Sequence, residues 1–453
     1  MPTLDRAIGP VSATLLVIGG IIGSGIFLTT GVMADALPSA SLLMLAWTVG
    51  CLFAVFGALT YAEMSTMFPK SGGVYVFLRE AFGPLPGFLY GWATLLVVLS
   101  GGIAAVAVGF ADYFSYFFPS LSPSRIVAEI PLGAGTLRVA ASQLVAVAAI
   151  VLLGGINYLG VRSGSGTNAV LTVAKVTGLA LLPIFALVAG QASPEWTPVV
   201  PTDVAAPLQA FGVALIAVLW TVEGYYFMTY AAGEVRDPAR TLPRALATGL
   251  LIVMGIYLVV NLAYFHALPM DALRGTSRVA EAAATAMVGP AGATLIALTV
   301  LASTLGADAA VILGASRLFY AMARDGLLFP AAAAVHPRYH SPHVAIAGIT
   351  IWSSLLALSG TYEQLFTYVV FVSVLFSLLG GLALFRLRWS RPGAERPYRV
   401  WGYPVVPALF VLGALFMVVN TLSERPRESL AGLALLALGL PVYWYASRRN
   451  ASA

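Results

Sequence analysis

The sequence predicts an all-α polytopic membrane protein with about 12 transmembrane helices, and three observations predict it. Hydrophobic residues make up 59% of the 453 and charged residues only 9%, which excludes an ordinary water-soluble domain. Apolar runs of about 20 residues, the length that crosses a bilayer, fall near 11–33, 39–67, 84–118, 139–158, 167–190, 207–231, 244–268, 289–322, 344–359, 363–386, 403–421 and 428–446. Basic residues are unequally shared between alternate loops. With the N-terminus inside, the inner loops hold 17 of the Lys and Arg residues and the outer loops 6, and Lys175 within a span completes the 24. That bias places both termini in the cytoplasm. It also accounts for the formal charge of +5 without a nucleic-acid partner. One helical bundle uses the chain, residues 1–453, as a single domain.

The first span follows the short head Thr3-Leu4-Asp5-Arg6 and lacks a small-residue cleavage site, so it reads as an uncleaved span rather than a signal peptide. Its interior is interrupted by Gly19-Gly20-Ile21-Ile22-Gly23-Ser24-Gly25-Ile26-Phe27. Each glycine weakens a helix interior by about 1 kcal/mol relative to alanine, and Ser24 competes for backbone hydrogen bonds. The helix is therefore expected to unwind here. Open backbone at membrane depth is tolerated only where it is buried in protein or lines a cavity, so this turn is a candidate binding site. The half-helix that follows would aim its N–H groups at an anion such as a carboxylate, and the half before it offers carbonyls to a cation. Close packing through Gly19 and Gly23, a small-xxx-small pair, is the plainer alternative.

The second span contains the single cysteine, Cys51, which rules out an internal disulfide, and ends at Tyr61-Ala62-Glu63-Met64. An inner loop with a Pro69-Lys70-Ser71-Gly72-Gly73 turn and a short amphipathic piece follows. Span three carries Ser100-Gly101-Gly102 at mid-depth, where a neighbour can approach closely. The outer loop from Pro119 to Arg138 comes next. In span five Lys175 lies deep enough that its ammonium must reach the surface or be pinned between helices near the unwound turn.

Span six repeats the logic of span one, because Trp220-Thr221-Val222-Glu223-Gly224 sets an ionisable group and a helix-weakening glycine in one turn. A second break half a bundle later suits an inverted repeat. Residues 11–190, spans one to five, would form the first half and 207–386, spans six to ten, the second. The site would lie where the breaks meet. Spans eleven and twelve, 403–446, hold no buried charge and read as a packing or lipid-facing addition. Trp220 is either core packing or a gate over the substrate. Asp308 in span eight is a second intramembrane carboxylate, either functional or a static partner of Lys175. The loop His336-Pro337-Arg338-Tyr339-His340-Ser341-Pro342-His343 reads as flexible and is spaced by prolines, so no metal or other cofactor is expected.

Several strings together resemble the amino acid–polyamine–organocation (APC) superfamily, and within it bacterial permeases like the L-type (LAT) amino acid transporters. They are Gly23-Ser24-Gly25-Ile26-Phe27, Pro69-Lys70-Ser71-Gly72-Gly73, Arg79-Glu80-Ala81-Phe82-Gly83-Pro84, Asn157-Tyr158-Leu159-Gly160-Val161-Arg162, Gly233-Glu234-Val235-Arg236-Asp237-Pro238 and Tyr320-Ala321-Met322-Ala323-Arg324-Asp325-Gly326. The resemblance implies a LeuT-type 5+5 inverted repeat with broken helices 1 and 6. It implies that backbone N–H groups of Ser24, Gly25 and Ile26 beside Gly23 bind the substrate carboxylate. Carbonyls around Ile21, Ile22, Trp220, Thr221 and Glu223, beside Gly224, would take its ammonium. Trp220 aligns with the outer gate, and Lys175 with the lysine that replaces a sodium ion in sodium-independent members. The loop between spans three and four lacks the cysteine that links animal light chains to a heavy-chain partner, so no such partner is expected. Asp308 stands where an uncharged residue would be looked for.

These readings converge on a sodium-independent secondary transporter of amino acids, neutral L-amino acids first, in the bacterial plasma (inner) membrane. It would work by alternating access, as an exchanger or as a proton symporter with Lys175, Glu223 or Asp308 as the coupling group. A polyamine or cationic amino acid carrier is the alternative within transport, Glu223 and Asp308 then facing a distal ammonium. A membrane amino acid sensor is disfavoured by termini too short for a signalling domain. An intramembrane enzyme is disfavoured because His266, His336, His340 and His343 lie at ends or in loops and Cys51 has no partner.

Overall fold

Helices dominate, because in hydrocarbon every backbone N–H and C=O must be satisfied within its own segment. The structure, a computed structural model, describes residues 8–69, 72–132, 135–159, 164–189, 194, 196, 207–324, 326–339 and 341–451. Arg6, Lys70, Ser71, Gly160, Val161, Arg162, Asp325 and His340, each singled out above, lie outside the described residues. Among those described, eight helices are long and apolar enough to cross a membrane, or nine if the bent first pair counts as one span. Lys175–Ala189, Pro207–Val222 and His343–Ser359 form shorter apolar helices.

The chain opens with α1 (Pro10–Ile21) and α2 (Gly25–Ala36), bent 42° to each other across the glycine-laden turn. After α3 (Ala40–Met67) comes a turn in which Gly72 and Gly73 take φ of 126° and 49°, a region open to glycine. Then follow α4 (Val74–Phe82) and α5 (Pro84–Phe114), the latter passing through a π-helical turn at Thr94–Leu99. The loop after α5 is more ordered than a plain loop: β1 (Ile126–Leu132) and β2 (Gly135–Ala140) pair antiparallel, with Glu129 opposite Arg138 and 3.1 Å from it.

Next come α6 (Ala141–Tyr158), α7 (Gly164–Ala189) and α8 (Pro207–Val222). Span six breaks at the expected Glu223-Gly224 turn: α8 ends at Val222, Gly224 takes φ of 100°, and Phe227–Glu234 continues as a 3-10 turn. Beyond α9 (Pro238–Ala267), α10 (Val279–Arg324) is interrupted where Gly289 takes φ of 73° before Pro290. The chain finishes with α11 (His343–Ser359), α12 (Tyr362–Ser390), α13 (Val405–Glu424), α14 (Pro426–Ala437) and α15 (Gly439–Ala451).

Between α10 and α11, His336 is no flexible appendage. Its Nδ1 accepts from the N–H groups of Arg338 and Tyr339, and its ring packs on Tyr158. In the bundle, α8 packs on α2 and α3, α9 on α1 and α3, and α7 on α10 and α9. α13 packs one face against α3, α8 and α12 and leaves Leu409, Leu412, Leu415 and Val419 exposed on the other. A Cβ on Gly212 of α8 would sit 2.3 Å from the Asn420 side chain of α13. The end of α3 is anchored through Glu63, which is fully buried. Its carboxylate accepts from Arg388 at 2.9 and 2.6 Å and from the Val400 N–H at 2.7 Å, and Arg396 lies 3.4 Å away.

Candidate functional site

The interruption between α1 and α2 and the one after α8 touch. A Cβ on Gly224 would come within 2.9 Å of the Gly20 carbonyl oxygen, and one on Gly25 within 2.5 Å of Thr221 Oγ1 and 2.8 Å of its Cα. Only hydrogen in place of a side chain permits that approach. The contact is then stitched by hydroxyls. Thr29 Oγ1 donates to the Gly25 carbonyl at 2.9 Å and lies 3.1 Å from Thr221 Oγ1. Tyr257 shares its hydroxyl proton between the carbonyls of Ile21 and Thr221, 3.3 Å from each.

Carbonyls at the end of α1 find a cationic donor, and two in the first turn of α2 take additional phenolic ones. Lys175, 4% exposed, donates from Nζ to Gly19 O at 2.9 Å and to Ile22 O at 2.8 Å. Tyr264 serves Ile26 O at 3.0 Å and Tyr113 serves Phe27 O at 2.9 Å. The possibility of a static pair between Lys175 and Asp308 is overturned. Among the described residues no ion pair joins them, because the unwound carbonyls claim the ammonium.

At the other side of the turn, α2 begins with N–H groups that have no acceptor in their own helix. Ser24 occupies the N-cap position, yet its hydroxyl makes no cap. It lies 3.1 Å from the Tyr362 hydroxyl, which also accepts from Trp220 Nε1 at 2.8 Å. Trp220 in turn stacks on Phe366, ring centroids 6.0 Å apart and 20° from parallel. Tyr362 thus joins both broken helices to the start of α12. That residue carries no signal by type. The Thr361-x-x-Gln364 capping box, which starts α12 with reciprocal bonds, is the one sequence feature that locates it.

A cavity of about 70 Å³ lies beside Trp220. Ser24, Thr221, Glu223 and Asp308 supply the polar part of its wall, Gly20, Ile21, Gly23 and Gly25 its backbone, and Trp220 lines it with Val98, Val106, Val311 and Val369. Ile22 and Ile26 are fully buried behind it, and Gly224 packs on Gly20. Glu223 accepts a hydrogen bond from the Tyr226 hydroxyl. Asp308 is 2% exposed, and its Oδ1 has no hydrogen-bond partner. The structure therefore brings together residues drawn from spans one, six and eight, with Lys175 supporting the turn from behind.

Apolar helices around a cavity with a few polar groups in its wall, with two helices interrupted where they meet it, define a polytopic membrane protein of the permease class. The chain belongs to the amino acid permease family, whose profile matches residues 8–437, within the APC superfamily. It is 30% identical to the serine/threonine exchanger SteT of Bacillus subtilis (strain 168), over 99% of this chain and 98% of that one. It is 29% identical to the b(0,+)-type amino acid transporter 1 of Homo sapiens, over 98% of this chain and 88% of the relative. It is 30% identical to the human large neutral amino acids transporter small subunit 2, over 97% and 80%. The protein is an amino acid transporter and not an enzyme.

Proposed function

We propose that this chain is a sodium-independent secondary transporter that moves neutral L-amino acids across a bacterial inner membrane by alternating access, its termini in the cytoplasm. The observation that carries the site is the open N-terminus of α2 in the cavity wall, with the one side chain able to cap it, Ser24, drawn off to Tyr362. The N–H groups of Ser24, Gly25 and Ile26 would hold the substrate carboxylate. Its ammonium would take the free lone pairs of the Ile21, Ile22, Trp220 and Thr221 carbonyls, each of which has a second acceptor position. Glu223 and Gly224 shape the far side of that subsite. Lys175 holds the turn as a fixed cation where a coupled ion would otherwise sit. Trp220, hinged on Tyr362, is the gate.

Counting α1 with α2, and α14 with α15, as single spans and leaving out the nine-residue α4 gives twelve, arranged as two five-helix repeats and a terminal pair. The sole cysteine is buried in α3, so we infer no disulfide-linked heavy chain. Cation or polyamine transport is favoured by one observation alone, the unpartnered carboxylate of Asp308. The test is uptake of a panel of labelled amino acids into proteoliposomes, with sodium, a pH gradient and internal amino acid each supplied or withheld. Saturable uptake without sodium is the expected result. Dependence on internal amino acid assigns exchange, and dependence on the pH gradient assigns proton symport. No uptake of any amino acid, or an absolute need for sodium, would overturn the reading.

A further inference from the structure

Asp308 is the one charged group in the cavity wall left without a partner among the described residues. Lys175 is held by Gly19 and Ile22, and Glu223 accepts from Tyr226. Asp308 lies on α10 with its Oδ1 buried and unbonded, on the same cavity as Ser24 and Thr221. An ionised carboxylate at this depth is costly unless a donor reaches it. The formal charges of Lys175, Glu223 and Asp308 sum to minus one, and an amino acid zwitterion adds nothing to that sum. Occlusion away from water favours a neutral assembly of site and cargo.

We propose that Asp308 determines specificity by receiving one positive charge that crosses with the amino acid. This rests on reading the cavity as the substrate site. The charge is either an ammonium on a short side chain or a proton held on the carboxyl beside a neutral one. The valine-lined space of about 70 Å³ suits a short side chain. Titratable groups that surrounding elements bring to this part of the bundle include Lys175 of α7, Glu223 after α8, Tyr257 of α9 and Asp112 of α5, with Tyr226 bonded to Glu223 and Tyr362 to Ser24. The first three already hold hydrogen bonds, with Gly19 and Ile22, Tyr226, and Ile21 and Thr221 respectively. Asp112 lies outside the cavity wall.

The experiment compares an isosteric pair, 2,4-diaminobutyrate and norvaline, as competitors and as substrates in proteoliposomes holding wild type or Asp308→Asn. A side-chain ammonium as the source predicts at least about a tenfold wild-type preference for the diamino acid, lost in Asp308→Asn. A proton as the source predicts norvaline uptake that falls as pH rises in wild type and is independent of pH in Asp308→Asn. Should Asp308→Asn fail to fold, wild type decides alone: no diamino preference together with pH-independent norvaline uptake overturns the inference. So does a folded Asp308→Asn protein that keeps the wild-type preference and pH profile. If wild type carries no amino acid at all, it is the transport reading that fails, which uptake of the wider panel shows separately.

Discussion

Lys175 shows how much one residue can announce. An ammonium in the middle of an apolar run must have a partner, and the partners turn out to be two backbone oxygens, Gly19 O and Ile22 O. Lys175→Ala leaves both carbonyls buried and unserved, at about 1–3 kcal/mol each. The expected outcome is transport reduced to background with expression and monodispersity retained, read by uptake in proteoliposomes and by size exclusion. Wild-type uptake would remove Lys175 from the mechanism. Ser24→Leu fills the mouth of the α2 N-terminus and deletes the contact with Tyr362, so substrate binding should be lost. Unchanged affinity would mean that the turn serves packing alone. Tyr362 has no local signature of its role, because nothing in a tyrosine at a span entrance says that Ser24 and Trp220 will reach it.

Among elements, the two broken helices were legible and their contact was not. Clustered glycines weaken a helix wherever it is placed, so the positions of the breaks could be read directly. Which glycines are needed depends on the neighbour. Gly20 has open space where a Cβ would go, whereas Gly25 would strike Thr221 and Gly224 would strike the Gly20 carbonyl from a φ of 100°. Gly20→Ala should therefore melt close to wild type. Gly224→Ala should lose about 1–3 kcal/mol through backbone strain, and Gly25→Ala should separate the two breaks and lose uptake. Thermal unfolding in detergent and uptake test all three, and equal behaviour of the three variants would refute the contact. The hairpin β1–β2 has no comparable signal, since a short strand pair between Ile126 and Ala140 lies in a loop that the sequence marks only by its position between spans.

At the scale of the molecule, Glu63 ties the end of α3 to α12 and to the segment leading to α13. Removing one partner from a buried ion pair costs about 3–5 kcal/mol because the remaining charge is stranded. Glu63→Gln should accordingly lower the melting temperature well beyond an exposed control such as Glu129→Gln on the hairpin. Equal effects would show that the cluster contributes little to the bundle. Chain chemistry alone settles the membrane environment, the helical class, the weak turns and the charges that need explaining, because apolar length, glycine content and buried ionisable groups act locally. Packing settles the rest: that Lys175 serves backbone rather than Asp308, that Asp308 stands alone on a cavity, and that Ser24 meets Tyr362 across 338 positions of chain. Such pairings depend on which helix faces bury one another, and no local pattern encodes a partner that distant.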